Sequence, residues 1–274
     1  MTLLKDIHIE AIKEIAVDAG KIVMAIYRTN FEVAHKEDES PLTQADIQAN
    51  ELICNQLQKA YPTIAIISEE SRQMAFEIRK DWEYYWCIDP IDGTKEFVKK
   101  SGEFTINIAL IHKGVPVLGV VYAPALGEIY WAKKSQGAFK ELLNGKGEVL
   151  KKEQLPLYVN EDKKESLHVV ASVSHVNQAT QEFIETLAHT TKALTLHSLG
   201  SSLKLCLIAS GQADIYPRLS PTMEWDTAAA DAIVREVGKM TYEYDAHFSI
   251  ENLALATPLV YNKKELLNPW FVVL

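Results

Sequence analysis

Apolar side chains recur at helical spacing in the early part of the chain. Between residues 3 and 28 they mark one face of a predicted helix. They are Ile7, Ala11, Ile15, Ile22 and Ile26. A second helix is predicted from Thr43 to about Ala60, because a threonine can cap the free amides of a first helical turn. Asp46 falls in that first turn, where a carboxylate favours the helix dipole.

Short apolar runs between turn residues predict a sheet across the middle of the chain. The predicted strands cover residues 64–67, 84–88, 103–112, 115–122 and 128–132. Lys113-Gly114 separates two of them by the length of a β-hairpin turn. We expect an antiparallel meander that continues the sheet begun by the first two strands. Residues 140–166 are polar and charged, and we expect a loop and a boundary there.

Strands and helices alternate in the second half of the chain. Strands are predicted at 168–172, 194–197 and 213–218, and helices at 177–189, after Gly200 to 209, and at 227–237. Such alternation is typical of an α/β layer. We therefore expect an α+β half at residues 1–155 and an α/β half at residues 156–274, packed as one compact unit.

Charge and cysteine content narrow the function classes. There are 28 basic and 37 acidic residues, for a net charge of −9, which argues against binding to a nucleic acid polymer. Three separated cysteines form neither a disulfide framework nor a zinc spacing, which favours a reducing compartment. The charged N-terminus and the absence of a long apolar run predict a cytoplasmic protein without a transmembrane segment, with peripheral membrane association as an alternative.

Two carboxylates, Asp89 and Asp92, follow the apolar run 84–88 directly. Pro90 disfavours regular strand pairing, and Gly93 lets another backbone or a ligand approach closely. Carboxylates hold hard divalent cations, and the amides of Gly93 and Thr94, at the start of a helix, can point at an anion. The segment therefore suits a metal-bridged phosphate. A plain β-turn is an equal alternative from the turn residues alone.

Two further carboxylates occupy similar places. Glu69 comes at the tip of the strand 64–67, and Asp226 precedes the helix 227–237. Each also has an ordinary structural interpretation, since acidic residues cap helices and stabilise their first turns. Four such positions in one chain favour a common site at converging strand ends.

The segment from Asp89 to Thr94, with Glu69 upstream and Trp225-Asp226 downstream, resembles the inositol monophosphatase superfamily and, within it, the 3′(2′),5′-bisphosphate nucleotidases. The resemblance extends from about residue 33 to the C-terminus. Its further motifs are Lys36, Ser40 to Asp46, Gly102 to Leu110, Val120 to Pro124, Gly200 to Lys204, Tyr216 to Arg218, Pro221-Thr222 and Leu267 to Pro269. It implies a layered αβαβα sandwich.

The resemblance also implies roles for the acidic residues. Glu69, Asp89 and the Ile91 carbonyl would hold one Mg²⁺, and Asp89, Asp92 and Asp226 a second. Glu69 and Asp46 would hold a third, weaker ion through water. Asp46 and Thr94 would orient the attacking water, while the Gly93 and Thr94 amides hold the phosphate. Inhibition by Li⁺ is implied, and competition by Ca²⁺ is expected at a tight site for small cations.

The α/β half, residues 156–274, is expected to bind the substrate and determine its specificity. The resemblance assigns Lys204 and Arg218 to a second phosphate, with the helix N-terminus at Ser201 as a further anion contact, and Ser174 and His175 to the nucleoside. Val173 stands where these nucleotidases often carry arginine, which leaves the details of base or phosphate contact open.

The predicted activity is therefore Mg²⁺-dependent removal of the 3′-phosphate from adenosine 3′,5′-bisphosphate, with phosphoadenylyl sulfate as a second substrate and no covalent intermediate. The partner is a small nucleotide, and a monomer is expected rather than a homodimer. Two alternatives remain: hydrolysis of inositol 1-phosphate by the same metal site, and a binding protein without catalysis. Lys204 and Arg218 distinguish the first alternative, because an uncharged polyol would not need them.

Overall fold

The computed structural model describes residues 2–35, 41–157, 166–172, 177–191 and 193–274. The helices are α1 (Thr2–Asp6), α2 (Ile9–Tyr27), α3 (Gln44–Ala60), α4 (Phe76–Arg79), α5 (Thr94–Val98), α6 (Gln178–Thr190), α7 (Leu203–Ser210) and α8 (Glu224–Glu236), with a 3₁₀ helix at Ile250–Leu255. The strands are β1 (Val33–His35), β2 (Pro41–Thr43), β3 (Ala65–Ser68), β4 (Tyr84–Asp92), β5 (Thr105–His112), β6 (Val115–Ala123), β7 (Glu128–Lys133), β8 (Gly137–Leu143), β9 (Val149–Gln154), β10 (Leu167–Ser172), β11 (Leu194–Leu199), β12 (Tyr216–Arg218), β13 (Thr241–Glu243) and β14 (Phe271–Val273).

Strands β3 to β9 form one seven-stranded sheet in chain order. Only the β3–β4 pair is parallel, and the remaining neighbours are antiparallel. The predicted meander is therefore confirmed. In the β5–β6 hairpin, Lys113 and Gly114 both have positive φ, at 50° and 77°. Two left-handed residues in a two-residue turn match the right-handed twist of the strands, which explains the glycine.

The seven-stranded sheet is buried on both faces. Alternate side chains of β4 enter two separate cores: Trp86 and Ile88 pack with α2 and α3, while Tyr85 and Cys87 pack with α7 and α8. Burial on both faces explains why the strands appear in the sequence as continuous apolar runs. Helix α8 packs so closely against β6 that a Cβ at Gly119 would overlap the Ala229 carbonyl.

The C-terminal part adds a second sheet and an outer helix. Strands β10 and β11 are parallel, β14 lies between β12 and β13, and the Val170 amide donates to the Ile215 carbonyl at 2.9 Å to join the two groups. Helix α7 contacts this sheet from one side, while α6 contacts β12. The order of layers is αβαβα, which confirms the predicted fold class. The division at residues 155 and 156 stays a prediction.

The expected loop at residues 140–166 is wrong over much of its length. Strands β8 and β9 occupy 137–143 and 149–154 and extend the sheet. The apolar pattern is broken in β8 because Glu141 is buried, where it accepts hydrogen bonds from Lys13 and from the Trp131 indole, each at 3.0 Å. β9 is an exposed edge strand, so it lacks an apolar face.

Several predicted boundaries also differ from the structure. The helix expected over residues 3–28 is two helices, α1 and α2, separated at Ile7 and His8. Strand β4 continues to Asp92 instead of ending at Ile88, and α8 begins at Glu224, three residues before the predicted start. Among the residues the structure describes, there is no helix long and apolar enough to cross a membrane.

Candidate active site

The parallel pairing of β3 with β4 brings two carboxylates together. Ser68 is paired with Ile88, and the Glu69 amide donates to the Ile88 carbonyl at 3.2 Å. The next residue of each segment, Glu69 just after β3 and Asp89 within β4, therefore lies beside the other. The sequence predicts convergence of strand tips, and the parallel register supplies it.

A bulge in β4 shapes the segment from Asp89 to Asp92. Asp89 is paired with Asn107 and Asp92 with Thr105, so four residues of β4 lie opposite three of β5. Pro90 is tolerated because it lies within the bulge, where regular ladder bonds are interrupted. The Ile91 amide donates to Asp89 Oδ1 at 3.0 Å, which fixes the Asp89 carboxylate.

The chain then turns at Gly93 into the short helix α5. Gly93 has φ 88°, and an added Cβ would come within 3.3 Å of Ser201 Cβ, so glycine serves both the backbone conformation and the close approach. At the start of α5, first-turn amides have no partner within the helix and can face an anion. The Thr94 hydroxyl donates to the Ile91 carbonyl at 3.2 Å and lies 3.4 Å from Asp46 Oδ1.

The two carboxylate oxygens of Asp46 have different neighbours. Its Oδ2 accepts from the Thr43 amide at 2.8 Å and from the Thr43 hydroxyl at 2.6 Å, which closes the N-terminus of α3. Its other oxygen, Oδ1, is the one close to Thr94. Helix capping therefore orients this buried carboxylate towards the predicted site.

Asp226 enters the pocket from the first turn of α8. It is the third residue of that helix and not its N-cap, but its carboxylate still caps the first turn. Its Oδ2 accepts from the Met223 amide at 2.9 Å. Ser202 Oγ lies 2.6 Å from the Asp226 carbonyl and 2.7 Å from Asp92 Oδ2, so this hydroxyl connects α8 with the end of β4.

Asn107 and Ser202 hydrogen-bond the Asp92 carboxylate. The sequence alone does not single out either residue. The Asn107 amide donates to Ser202 Oγ at 2.9 Å and reaches Asp92 Oδ2 at 3.4 Å. Both residues lie inside motifs that support the family resemblance, which is the signal that points to them. Their spatial convergence depends on sheet register and on the docking of α7.

We call Glu69, Asp89, Asp92 and Asp226 the acidic cluster. Burial raises the pKa of Asp89 well above its usual 3.8, and the charges of Glu69, Asp92 and Asp226 raise it further. Burial also raises the pKa of Asp226, and the charges of Asp92 and Glu69 raise it further. Burial raises the pKa of Asp92 too, although Lys204 and the Ser202 hydrogen bonds oppose that rise. Mutual repulsion of this kind is what a bound cation relieves.

The donor set of the acidic cluster fits Mg²⁺ in chemistry. Carboxylate and carbonyl oxygens are its preferred ligands, and the four carboxylates line one pocket together with Ile91. Within the described part of the chain, no three acidic, histidine or cysteine side chains form a set already arranged around one ion. Hydrogen bonds to the Ile91 and Met223 amides hold Asp89 and Asp226, so closing the set requires adjustment of their side chains.

Lys204 and Arg218, the basic pair, line the same pocket. Lys204 is buried and donates to the Ser201 carbonyl at 2.6 Å and to the Leu199 carbonyl at 3.3 Å. Burial lowers the pKa of Lys204 to about 8, although the Asp92 charge opposes that change. Its ammonium therefore braces the turn before α7 as well as facing the pocket.

Within the described chain, Arg218 donates fewer hydrogen bonds to the protein than Lys204 does. One terminal nitrogen donates to the Pro221 carbonyl at 3.1 Å. Among the described residues, its Nε is buried without a hydrogen-bond partner. An orphaned donor of this kind is costly unless a ligand satisfies it. Ser201 also lines the pocket and has a positive φ of 47°, a backbone conformation that residues other than glycine seldom adopt.

The pocket has a volume of about 240 Å³. It brings together most of the residues that the sequence predicts for metal, phosphate and nucleotide. Those lining it are Glu69, Asp89, Ile91, Asp92, Gly93, Thr94, Ser201, Lys204, Arg218 and Asp226. Asp46 lies beside Thr94. The predicted nucleoside contacts Ser174 and His175 lie outside the described residues, as do Lys36, Ser40 and Val173.

Known proteins are similar to this chain in both sequence and fold. The model of the inositol monophosphatase family matches residues 5–269. The 3′(2′),5′-bisphosphate nucleotidase CysQ of Salmonella typhimurium is 41% identical over 86% of this chain and 90% of its own. The CysQ of Escherichia coli K12 is 38% identical over 97% of this chain and 98% of its own. The crystal structure of CysQ from Bacteroides thetaiotaomicron has a TM-score of 0.82 at 41% identity and covers 96% of this chain and 95% of that one. The chain belongs to the inositol monophosphatase family.

Proposed function

We propose that this chain is a 3′(2′),5′-bisphosphate nucleotidase that hydrolyses the 3′-phosphate of adenosine 3′,5′-bisphosphate to give AMP and phosphate. The observation that carries this is the pairing of an acidic cluster with a basic pair in one pocket. A metal-assisted phosphatase needs the acidic cluster to hold its metal ions. A substrate with a second phosphate needs the basic pair to bind that phosphate. The relatives named as bisphosphate nucleotidases support the same activity.

The acidic cluster and the Ile91 carbonyl would hold Mg²⁺. When bound, Mg²⁺ neutralises phosphoryl oxygens and lowers the pKa of water. The chain itself keeps the donor oxygens in place: the Ile91 amide holds Asp89, Ser202 holds Asp92, and the Met223 amide holds Asp226. Inhibition by Li⁺ and competition by Ca²⁺ stay predictions.

Thr94 and Asp46 would orient the attacking water. Thr94 Oγ1 and Asp46 Oδ1 lie 3.4 Å apart, so one water can hydrogen-bond to both atoms. Asp46 Oδ1 would accept a proton from that water, while Oδ2 remains bound to Thr43. This route uses water as the nucleophile and forms no covalent intermediate with the protein.

The substrate would lie between α5 and the basic pair. The Gly93 and Thr94 amides would bind the phosphate that is cleaved, and Arg218 and Lys204 the phosphate that remains, with Ser201 as an additional donor. The Arg218 Nε that lacks a partner among the described residues supports this orientation. Nucleoside contacts by Ser174 and His175, the monomeric state and cytoplasmic location stay predictions.

The test is phosphate release from adenosine 3′,5′-bisphosphate, phosphoadenylyl sulfate and inositol 1-phosphate, each with Mg²⁺, without it, and with added Li⁺. We expect Mg²⁺-dependent release with strong preference for the bisphosphate and loss of activity in Li⁺. Preference for the inositol ester would keep the metal site and overturn the role of the basic pair. Release from none of the three would favour a binding protein.

A further inference from the structure

The turn that carries Glu69 has little regular structure of its own. It follows β3, a four-residue strand at the edge of the seven-stranded sheet with β4 as its neighbour. Its backbone is closed by the Ser71 amide, which donates to the Ser68 carbonyl at 3.2 Å, and by the Gln73 side-chain amide, which donates to the Ser68 and Ser71 carbonyls at 2.6 and 2.9 Å. Because Glu69 lies on a turn beyond an edge strand, side-chain hydrogen bonds from neighbouring elements contribute to its position.

Asn50 on α3 makes such hydrogen bonds. Its Oδ1 accepts from the Ser68 hydroxyl at 2.6 Å, and its Nδ2 reaches Ser71 Oγ at 3.4 Å. One amide side chain therefore contacts the residues that stand immediately before and shortly after Glu69-Glu70. Ser68 is fully buried, so the loss of Asn50 would remove the hydrogen-bond acceptor from a hydroxyl without access to water.

Asn50 also lies one helical turn after Asp46. Residues four apart on a helix lie on the same face, so Asp46 and Asn50 face the same side of α3. The α3 N-terminus is itself fixed, since the Thr43 amide and hydroxyl both bond Asp46. Asn50 thus connects the helix that carries Asp46 to the turn that carries Glu69.

We propose that Asn50 is a positioning residue that sets the distance between Asp46 and Glu69 and thereby the affinity of the site for Mg²⁺. This inference rests on the proposed function for its choice of ion. Residues that orient metal ligands typically change metal affinity by about 10- to 100-fold when they are removed. A residue that served only to stabilise the fold would change the melting temperature and leave Mg²⁺ affinity alone.

The experiment compares Asn50→Ala, Ser68→Ala and the double variant by isothermal titration of metal-free protein with Mg²⁺. Asn55→Ala is the matched control, because Asn55 is exposed on the same helix. We expect each single variant to raise the Mg²⁺ dissociation constant about tenfold, at the low end of the range for such residues. The double variant should bind Mg²⁺ no more weakly than Asn50→Ala does, since both single substitutions remove the same Asn50–Ser68 hydrogen bond, and the control should stay within about twofold of wild type.

Two readouts separate this inference from the proposed function. An Asn50→Ala protein that melts cooperatively and binds Mg²⁺ as wild type does would overturn the positioning role, as would losses that multiply in the double variant. Wild-type protein that binds Mg²⁺ yet releases no phosphate from adenosine 3′,5′-bisphosphate would refute the proposed function alone. Thermal melts with and without Mg²⁺ should show a smaller Mg²⁺-induced stabilisation for Asn50→Ala than for Asn55→Ala.

Discussion

The acidic cluster and the basic pair share one pocket but hold their charge differently. In the acidic cluster, like charges are crowded together, and burial and repulsion raise the pKa of Asp89 and Asp226. In the basic pair, Lys204 is compensated by two backbone carbonyls, and Arg218 retains a buried Nε without a partner among the described residues. The acidic cluster is therefore suited to a cation, and Arg218 to an anion.

This difference separates two kinds of residue loss. Under the proposed function, removing a member of the acidic cluster would take away a ligand of the metal, and it would also relieve repulsion in the metal-free protein. The basic pair is proposed to bind a phosphate that is remote from the bond that breaks, so its removal should change substrate affinity more than turnover. The following variants test that separation.

The largest effect is expected for Asp89→Asn, because Asp89 would contact two metal ions. We expect kcat to fall about 10³-fold, the equivalent of several kcal/mol of transition-state stabilisation. Metal-free Asp89→Asn should remain folded and melt no lower than wild type, since the amide relieves repulsion. Asp18→Asn, in an exposed pair with Lys21, is the control. A kcat within tenfold of wild type would refute the metal role.

Arg218→Ala is expected to weaken substrate binding without much effect on turnover. A hydrogen bond to a charged group contributes about 1.5–3 kcal/mol, so KM for the bisphosphate should rise about 30-fold. KM for any activity on inositol 1-phosphate should be unchanged. Arg28→Ala, at the exposed end of α2, controls for loss of an arginine charge. Equal KM values for Arg218→Ala and wild type would remove Arg218 from the substrate site.

Lys204→Ala should combine a binding defect with a stability defect. We expect KM for the bisphosphate to rise about tenfold, somewhat less than for Arg218→Ala, because Lys204 also bonds the Ser201 and Leu199 carbonyls. Loss of those bonds should lower the free energy of unfolding by about 1–2 kcal/mol. Steady-state kinetics and urea unfolding measure the two effects separately. An unchanged KM would show that Lys204 only braces the turn.

The smallest effect concerns the pH dependence of stability without metal. The folded protein holds protons on Asp89 and Asp226 more tightly than the unfolded chain does, because both pKa values are raised above 3.8. Stabilisation present at low pH is therefore lost as pH rises through the folded pKa values. We expect the melting temperature of metal-free Asp89→Asn to exceed that of wild type by a margin that grows as pH rises. Each kcal/mol corresponds to about 2–4 °C.

Mg²⁺ should reduce the difference in melting temperature between Asp89→Asn and wild type. The reason is that a cation bound to the wild-type protein offsets the repulsion and stabilises the folded state by mass action. Scanning calorimetry at several pH values, with and without Mg²⁺, measures this difference. A margin that stays constant or narrows towards neutral pH would contradict the account of the acidic cluster given by burial and repulsion.

Much of the fold follows from local patterns in the sequence. The hairpin at Lys113-Gly114, the capped start of α3 at Thr43 and the continuous apolar strands depend on residues close together in the chain, so their periodicity and turn chemistry are sufficient to predict them. The loop expected at 140–166 is wrong for the opposite reason. The buried Glu141 is compensated by Lys13, 128 residues away, and by the Trp131 indole, and these contacts leave no apolar signal in β8.

The sequence by itself determined which carboxylates would line one pocket, since Asp89 to Thr94 forms one local motif and the family resemblance groups Glu69 and Asp226 with it. Tertiary structure alone decided how these groups are held. The parallel register aligns Glu69 with Asp89, Ser202 bridges Asp92 to α8, and Asn50 connects α3 to the Glu69 turn. The physical reason is that each of these contacts joins residues far apart in the chain, where hydrogen-bond geometry depends on the packing of whole layers and leaves no periodic trace in the sequence.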